Sequence, residues 1–325
     1  MIGSRCILTL VLLAFALIAP VQLAAQKDGF AAWLQALRQD ALKKGISTQT
    51  LDVALADAAP IERVLQLQER QPESRLSWAE YGKRVVSQDR ILRGRRQMEQ
   101  QRELLHAIAE KYGVQPRFLV ALWGVESDFG HHTGDTPAVS ALATLGWAGR
   151  RGTYFRSELL ELLTAVESGY AQPVGLYSSW AGALGQCQFM PSNFKRFAVD
   201  YDGDGVRDIW TSTGDVLASM ARFLSHLGWN PDQTWGRAVL LPTGFDTRLA
   251  GRDTKMRLAK WDELGIRRLN GGKLPRRDDL WATLVLPDGP RGDAFLVYDD
   301  FFTLMRWNRS YHFALSVGTL SDHFR

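Results

Sequence analysis

Apolar residues between 28 and 113 recur at helical spacing, with few strand signals. Phe30, Trp33, Leu34, Leu37 and Ala41 mark a first amphipathic helix, and a Ser47/Thr48 capping segment introduces a second over 51–58. A longer helix is predicted over 87–112, where Ile91, Leu92, Leu104, Leu105, Ile108 and Tyr112 oppose a face dense in Arg, Gln and Glu. The next runs from Pro116, which has no N–H to leave unpaired at a first helical position, towards a stop at Gly130. Further helices are predicted over 138–144, 154–169, 214–227 and 300–308; in the 214–227 helix Leu217, Met220, Phe223 (or Ala221), Leu224 and Leu227 face inward. Only between 237 and 298 does the rhythm change, to the short runs AVLLP, WATLVLP and AFLVY separated by Gly, Pro and charged residues, which is strand chemistry. The pattern predicts a mainly α protein, α+β in class, with a small β-containing subdomain.

Within the stretch 114–130, VQPRFLVALWGVESDFG, Glu126 follows Trp123, Leu122, Leu119 and Phe118 at helical intervals and so shares the stripe that should face the interior. Burial there, and the negative end of the helix dipole, would raise its pKa towards that of a general acid. A helix-end glutamate turned to solvent or paired with an arginine is the alternative. Asp128 lies about 200° further around the axis, so a two-carboxylate glycosidase would need its second acid from elsewhere.

The first 26 residues stand apart. Arg5 begins a basic end, Ile7 to Ile18 is almost wholly apolar, and LAAQ at 23–26 offers a small-residue cleavage site, which reads as a secretory signal; an uncleaved N-terminal anchor is the alternative. No later stretch is apolar enough for a bilayer span. The whole chain, 46% hydrophobic and 23% charged over 325 residues, can bury a full core and hold two or three subdomains. Of the two cysteines, Cys6 leaves with the signal and precedes the apolar run, so it is misplaced for lipid modification at a cleavage site. Cys187 then stands alone, which excludes an intramolecular disulfide and argues against a cysteine-clustered metal site. A net charge of +4 is dispersed apart from runs such as RGRR at 93–96; export argues against nucleic acid, and an acidic wall polymer is the more natural contact.

Residues 179–192, SWAGALGQCQFMPS, are too small and too polar for a simple core helix. Gly182 and Gly185 permit close approach of a backbone or ligand, while Ser179, Gln186 and Gln188 supply neutral groups suited to sugar hydroxyls and acetamides; a tight helix contact is the alternative. His131 and His132 are adjacent on irregular backbone and read as a solvated loop, and Arg150, Arg151 and Tyr154 open the 154–169 helix. In AVDYDGDGVRDIW, Asp200, Asp202 and Asp204 alternate ahead of Gly205, with the Val206 carbonyl at the seventh position and Asp208 at the ninth, as in the first half of a calcium loop. Position twelve is Thr211, so Asp215 is the candidate closing ligand; a solvated acidic turn is the alternative.

Four segments, ALWGVESDFG, GRRGTYF, SWAGALGQCQFMPSNFKRFAVDYDGDGVRDIW and RWNRSYHFA, together resemble the MltB/SltB-type lytic murein transglycosylases, glycoside hydrolase family 103 of the lysozyme-like superfamily. The resemblance covers essentially the whole mature chain. It implies a signal peptide at 1–26, an N-terminal helical domain at 27–113, a lysozyme-like core with a calcium-type loop at 114–236, a small β subdomain at 237–299 and a helical return at 300–325. Glu126 then looks like the sole catalytic acid/base, and Ser179 and Gln188 match residues that contact the sugar acetamide. Tyr81, Arg150, Tyr154, Met190 and Asn308 fall among groove residues, and Asp200, Asp202, Asp204, Val206 and Asp215 match the ligands of a structural Ca2+. Phe223, Trp307 and Phe313 stand where the family's structural prototype has tyrosines, so stacking is kept there without the hydroxyl. The resemblance implies no organic cofactor, peptidoglycan glycan strands as the partner with cell-wall synthesis or remodelling proteins as a further class, and a soluble periplasmic monomer without a membrane anchor.

The reaction so implied is cleavage of the MurNAc-β-1,4-GlcNAc bond by neutral Glu126, with the substrate's acetamido group stabilising the cationic centre. Ionised Glu126 then deprotonates the muramic C6 hydroxyl to form a 1,6-anhydro ring without water. A hydrolytic lysozyme with a second carboxylate activating water, Asp128 being a candidate if the helix ends before it, and a non-catalytic peptidoglycan- or calcium-binding protein are the alternatives.

Overall fold

The structure, a computed structural model, describes residues 29–69 and 76–324. The expected leader at 1–26 lies outside the described residues. Among the described residues no helix is long and apolar enough to cross a membrane. The chain forms two compact units, each assembled from separated segments.

One unit draws its described residues from 1–70, 134–183 and 190–195. The amphipathic helix over 29–43 buries Phe30, Leu37 and Ala41 as its spacing predicts. Gly146, in the helix Ala138–Ala148, makes room for it: a Cβ there would stand 2.8 Å from the Trp33 ring. The second helix is shorter than its apolar run, Thr48–Ala54, with Ser47 accepting from the Thr50 N–H. Ser47 also donates through N–H and Oγ to Glu167, at the end of the helix Gly152–Glu167, at 3.0 and 2.9 Å. A two-stranded antiparallel pair, Thr136–Pro137 with Tyr177–Ser178, completes this unit.

The other unit draws on 71–133, 184–189 and 196–325. Here the predicted 87–112 helix is two helices, Gln88–Gln100 and Arg102–Tyr112, parted at Gln101 (φ −105°, ψ 18°). The inward face of the first also differs from expectation: Leu92 is 55% exposed, and the buried pair is Ile91 and Gly94. Gly94 is the reason, since a Cβ there would lie 2.1 Å from the Phe324 ring, so the bare backbone serves as that ring's seat.

The strand zone forms one antiparallel sheet in the order Lys255–Arg257, Trp281–Val285, Ala294–Val297, Gly236–Leu240, Arg267–Arg268. Leu258, Trp261, Ile266, Leu280, Leu284 and Leu296 form its core, and the Trp261 indole donates to the Ala282 carbonyl at 3.0 Å. Phe295 meets Trp78 edge-on at 5.8 Å, and Trp235 lies against the helix Tyr311–Asp322 at Gly318, where a Cβ would come within 2.2 Å of the ring. That helix packs on the helix Pro116–Ser127, which carries Glu126, so the sheet supports the candidate acid through Trp235.

Candidate active site

The helix Pro116–Ser127 is buried on nearly every side: Phe118, Leu119, Val120, Ala121, Leu122, Trp123 and Gly124 are all inaccessible or nearly so. It ends sooner than the Gly130 stop suggests, because Asp128 and Phe129 already adopt left-handed backbone (φ 55° and 60°) before Gly130 does (φ 87°). Glu126 is half-buried one residue before the helix ends, and its Oε1 accepts a 2.6 Å hydrogen bond from the Trp307 indole. Trp307, at the end of the helix Asp299–Trp307, is itself gripped by Phe189 and Phe223, with ring centroids 5.3 and 4.9 Å away. Phe223 in turn stacks on Phe197 at 4.5 Å.

The left-handed turn sends Asp128 away from its neighbour and into two arginines, Arg90 Nε at 3.1 Å and Arg93 Nη1 at 2.5 Å. Burial opposes ionisation of Asp128, but the hydrogen bonds and charges of Arg93 and Arg90 outweigh it and hold the carboxyl below the ordinary range. The helix does end before Asp128, but a carboxylate paired in this way is a poor base for activating water, the part the hydrolytic alternative gives it. His132 lies 3.6 Å from Asp128 on the exposed loop.

The 184–189 segment is irregular, closed by an isolated bridge between Leu184 and Phe189. Gly185 permits it to press on the backbone at Ile209, where a Cβ would lie 2.6 Å from the carbonyl oxygen. Gln188 takes the left-handed conformation (φ 48°), and its amide hydrogens go to the Thr133 and Gly185 carbonyls at 3.2 and 2.9 Å, leaving Oε1 as the acceptor. Gln186 is not the sugar-facing amide its composition suggested. Its Oε1 accepts from the Trp123 indole at 2.7 Å and its Nε2 donates to the Trp210 carbonyl at 2.6 Å, so it ties the Glu126 helix to the acidic loop. A Cβ on Gly130 would stand 2.4 Å from that oxygen, a close approach that the bare glycine in the sequence could have signalled.

Other expected groove residues in this unit fare differently. Tyr81, in the helix Trp78–Val85, stacks on His312 at 5.3 Å. Asn308 caps the helix that carries Trp307. Phe223 and Phe313 are only 6% and 4% exposed, so they pack the interior and leave little face for a sugar, contrary to the stacking expected of them.

Ser179, Arg150, Tyr154 and Met190 belong to the other unit. Ser179 closes a tight turn: its N–H donates to the Ala183 carbonyl at 2.9 Å and its Oγ accepts from the Ala183 N–H at 3.1 Å, with Gly182 at φ 80°. Arg150 is exposed, and Met190 accepts the Asn193 and Phe194 N–H groups through its carbonyl. Burial, with the nearby Glu158 charge, pushes the Tyr154 hydroxyl up to about 12, and Arg151 lies over its ring at 4.1 Å.

In the acidic loop, Asp200, Asp202 and Asp204 each offer an oxygen within 4.8 Å of the others, a hard-ligand set suited to Ca2+. Asp215, expected to close the set, instead braces the loop from inside. It is 1% exposed and accepts the Tyr201 and Asp208 N–H groups at 2.8 and 2.7 Å. Thr211 binds Asp208 through its N–H and hydroxyl, and the Val206 N–H is held by Asp204 at 2.7 Å.

The transglycosylase SLT domain family matches residues 29–322. The membrane-bound lytic murein transglycosylase B of Escherichia coli (strain K12) is 31% identical over 302 residues, covering 86% of this chain and 79% of that protein. The crystal structure of SltB3 from Pseudomonas aeruginosa in complex with NAG-anhNAM-pentapeptide superposes with a TM-score of 0.87 at 40% identity, covering 91% of this chain and 79% of that one. The Escherichia coli lytic transglycosylase Slt35 in complex with calcium has a TM-score of 0.74 at 29% identity, covering 89% and 91%.

Proposed function

This chain belongs to the transglycosylase SLT domain family, and we propose that in it Glu126 is the single residue that first protonates and then deprotonates the glycan. The protein is a lytic murein transglycosylase, a lyase acting on peptidoglycan. The observation that carries the one-carboxylate mechanism is the state of Asp128: the only other acid adjoining Glu126 in the turn is committed to Arg90 and Arg93.

With Asp128 committed to its arginines, the substrate's own 2-acetamido oxygen takes the part of a second carboxylate at the cationic sugar. Glu126 gives its proton to the glycosidic oxygen between MurNAc and GlcNAc, and the bond pair leaves with GlcNAc. The carboxylate then takes the proton of the muramic C6 hydroxyl as that oxygen bonds to C1. Gln188 supports this reading, because its remaining Oε1 suits an acetamide N–H. Holding the acetamide in attacking geometry is worth several kcal/mol of barrier, on the order of 10²-fold or more in rate. The relative bound to NAG-anhNAM-pentapeptide is consistent with an anhydro product.

Asp200, Asp202 and Asp204, with the Val206 carbonyl, would hold a structural Ca2+; when bound, the ion neutralises the loop that Gln186 ties to the Glu126 helix. The apolar run at 7–18, read as an export signal, and a relative that is a murein transglycosylase support work in the periplasm, on glycan strands. Digestion of peptidoglycan in heavy-oxygen water tests the water-free step: the new sugar ends should carry no label, whereas labelled ends would assign hydrolysis.

A further inference from the structure

Trp307 is 181 residues from Glu126 in sequence, yet its indole N–H is 2.6 Å from Oε1. An indole nitrogen carries a hydrogen and no lone pair available to accept one, so it donates only. While this contact holds, Oε1 must be the acceptor and cannot present a proton to Trp307. The ring has little freedom to turn aside, because Phe189 and Phe223 flank it at 5.3 and 4.9 Å and Phe197 backs Phe223 at 4.5 Å. Both flanking rings are buried, at 1% and 6% exposure. Trp307 thus has an apolar body fixed by packing and a polar edge committed to the candidate acid, which is not the arrangement of a platform for sugar stacking.

We infer that Trp307 is a positioning residue that fixes the Glu126 carboxyl and assigns its transferable proton to Oε2. The inference rests on the transglycosylase reading above and specifies how one carboxyl serves both steps. In the first, the proton on Oε2 passes to the glycosidic oxygen, the C1–O bond breaks and its electron pair stays with the departing GlcNAc. In the second, the C6 hydroxyl returns a proton to Oε2 as its oxygen forms the new bond to C1. The same oxygen gives and recovers the proton, and the carboxyl need not rotate between steps because Oε1 stays bound to the indole throughout.

The test compares wild type, Trp307→Phe and Trp307→Tyr on purified glycan strands, reading kcat and KM from the release of anhydro ends, with a melting curve for each. Trp307→Phe keeps a ring between Phe189 and Phe223 but removes the donor. Its kcat should fall about tenfold or more, the size of one hydrogen bond to a charged group, with KM within about twofold. Trp307→Tyr restores a donor on the ring and should recover several-fold of that loss at a melting temperature matching the Phe variant. A Phe variant with wild-type kcat, a loss confined to KM, or a Tyr variant no faster than Phe would overturn the inference. Wild type releasing no anhydro ends would instead overturn the transglycosylase reading, and the inference with it.

Discussion

Asp128 and Arg93 form a 2.5 Å ion pair whose side chains are 12% and 23% exposed, immediately beyond the helix that carries Glu126. The pair fixes the left-handed turn that separates the two acids. Asp128→Asn should therefore destabilise the protein by about 2–3 kcal/mol at neutral pH, since it leaves Arg90 and Arg93 facing each other without their counter-charge. The carboxyl is held below its ordinary value of 3.8, so its contribution is present above about pH 4 and is lost as pH falls through the lowered folded value. Thermal melts of the two proteins should differ at pH 7 and converge in acid. Equal stability at pH 7 would show the pair to be energetically idle.

Asp300 presents the opposite case. It is fully buried; one oxygen accepts the Asn230 N–H at 2.8 Å and the other, Oδ2, has no partner. Burial pushes its pKa up to about 7. The folded state thus keeps this proton until about pH 7, while the unfolded chain releases it near 4, and stability must fall as pH rises across that window. Above it the buried charge costs up to about 4 kcal/mol. Asp300→Asn should be more stable than wild type at pH 8 and lose that advantage near pH 4. Parallel stability curves for the two proteins would contradict the assignment.

Gly318 allows the Trp235 ring to lie on the helix behind Glu126, with a would-be Cβ 2.2 Å from the ring. Gly318→Ala should cost about 1–3 kcal/mol through overpacking and lower activity by disturbing the support of the Glu126 helix. Unchanged melting and turnover would mean that the two helices adjust without loss.

For the acidic loop, a ligand held only by the folded state must stabilise it, by about 2.7 kcal/mol at a hundredfold excess over Kd. Calcium should raise the melting temperature, chelator should reverse the rise, and Asp202→Asn should blunt it. No shift in any of these would remove Ca2+ from the account.

What could be read in the sequence was local. Pro116 begins its helix, and the strand zone follows from short apolar runs parted by Gly, Pro and charged residues. The Asp200–Asp204 cluster likewise follows from spacing alone. What could not be read depends on distant partners. The break at Gln101 has no proline or glycine to announce it, and Leu92 is turned out because Gly94 receives Phe324, more than two hundred residues away. Gln186 and Gln188 look alike in sequence, yet one has both its oxygen and its nitrogen bound, to Trp123 and Trp210, while the other keeps its oxygen as an acceptor. Trp307 was expected to face sugar; its bond to Glu126 joins residues that only the tertiary fold brings together.

The measurement closest to the central claim is mass spectrometry of the sugar ends released from purified peptidoglycan by the mature protein, beside Glu126→Gln. Wild type should release anhydro ends, lighter by one water than reducing ends, and the variant should lose at least the roughly 10²–10⁴-fold of a general acid. Reducing ends from wild type, or anhydro ends persisting at the same rate in Glu126→Gln, would contradict a mechanism built on this one carboxyl.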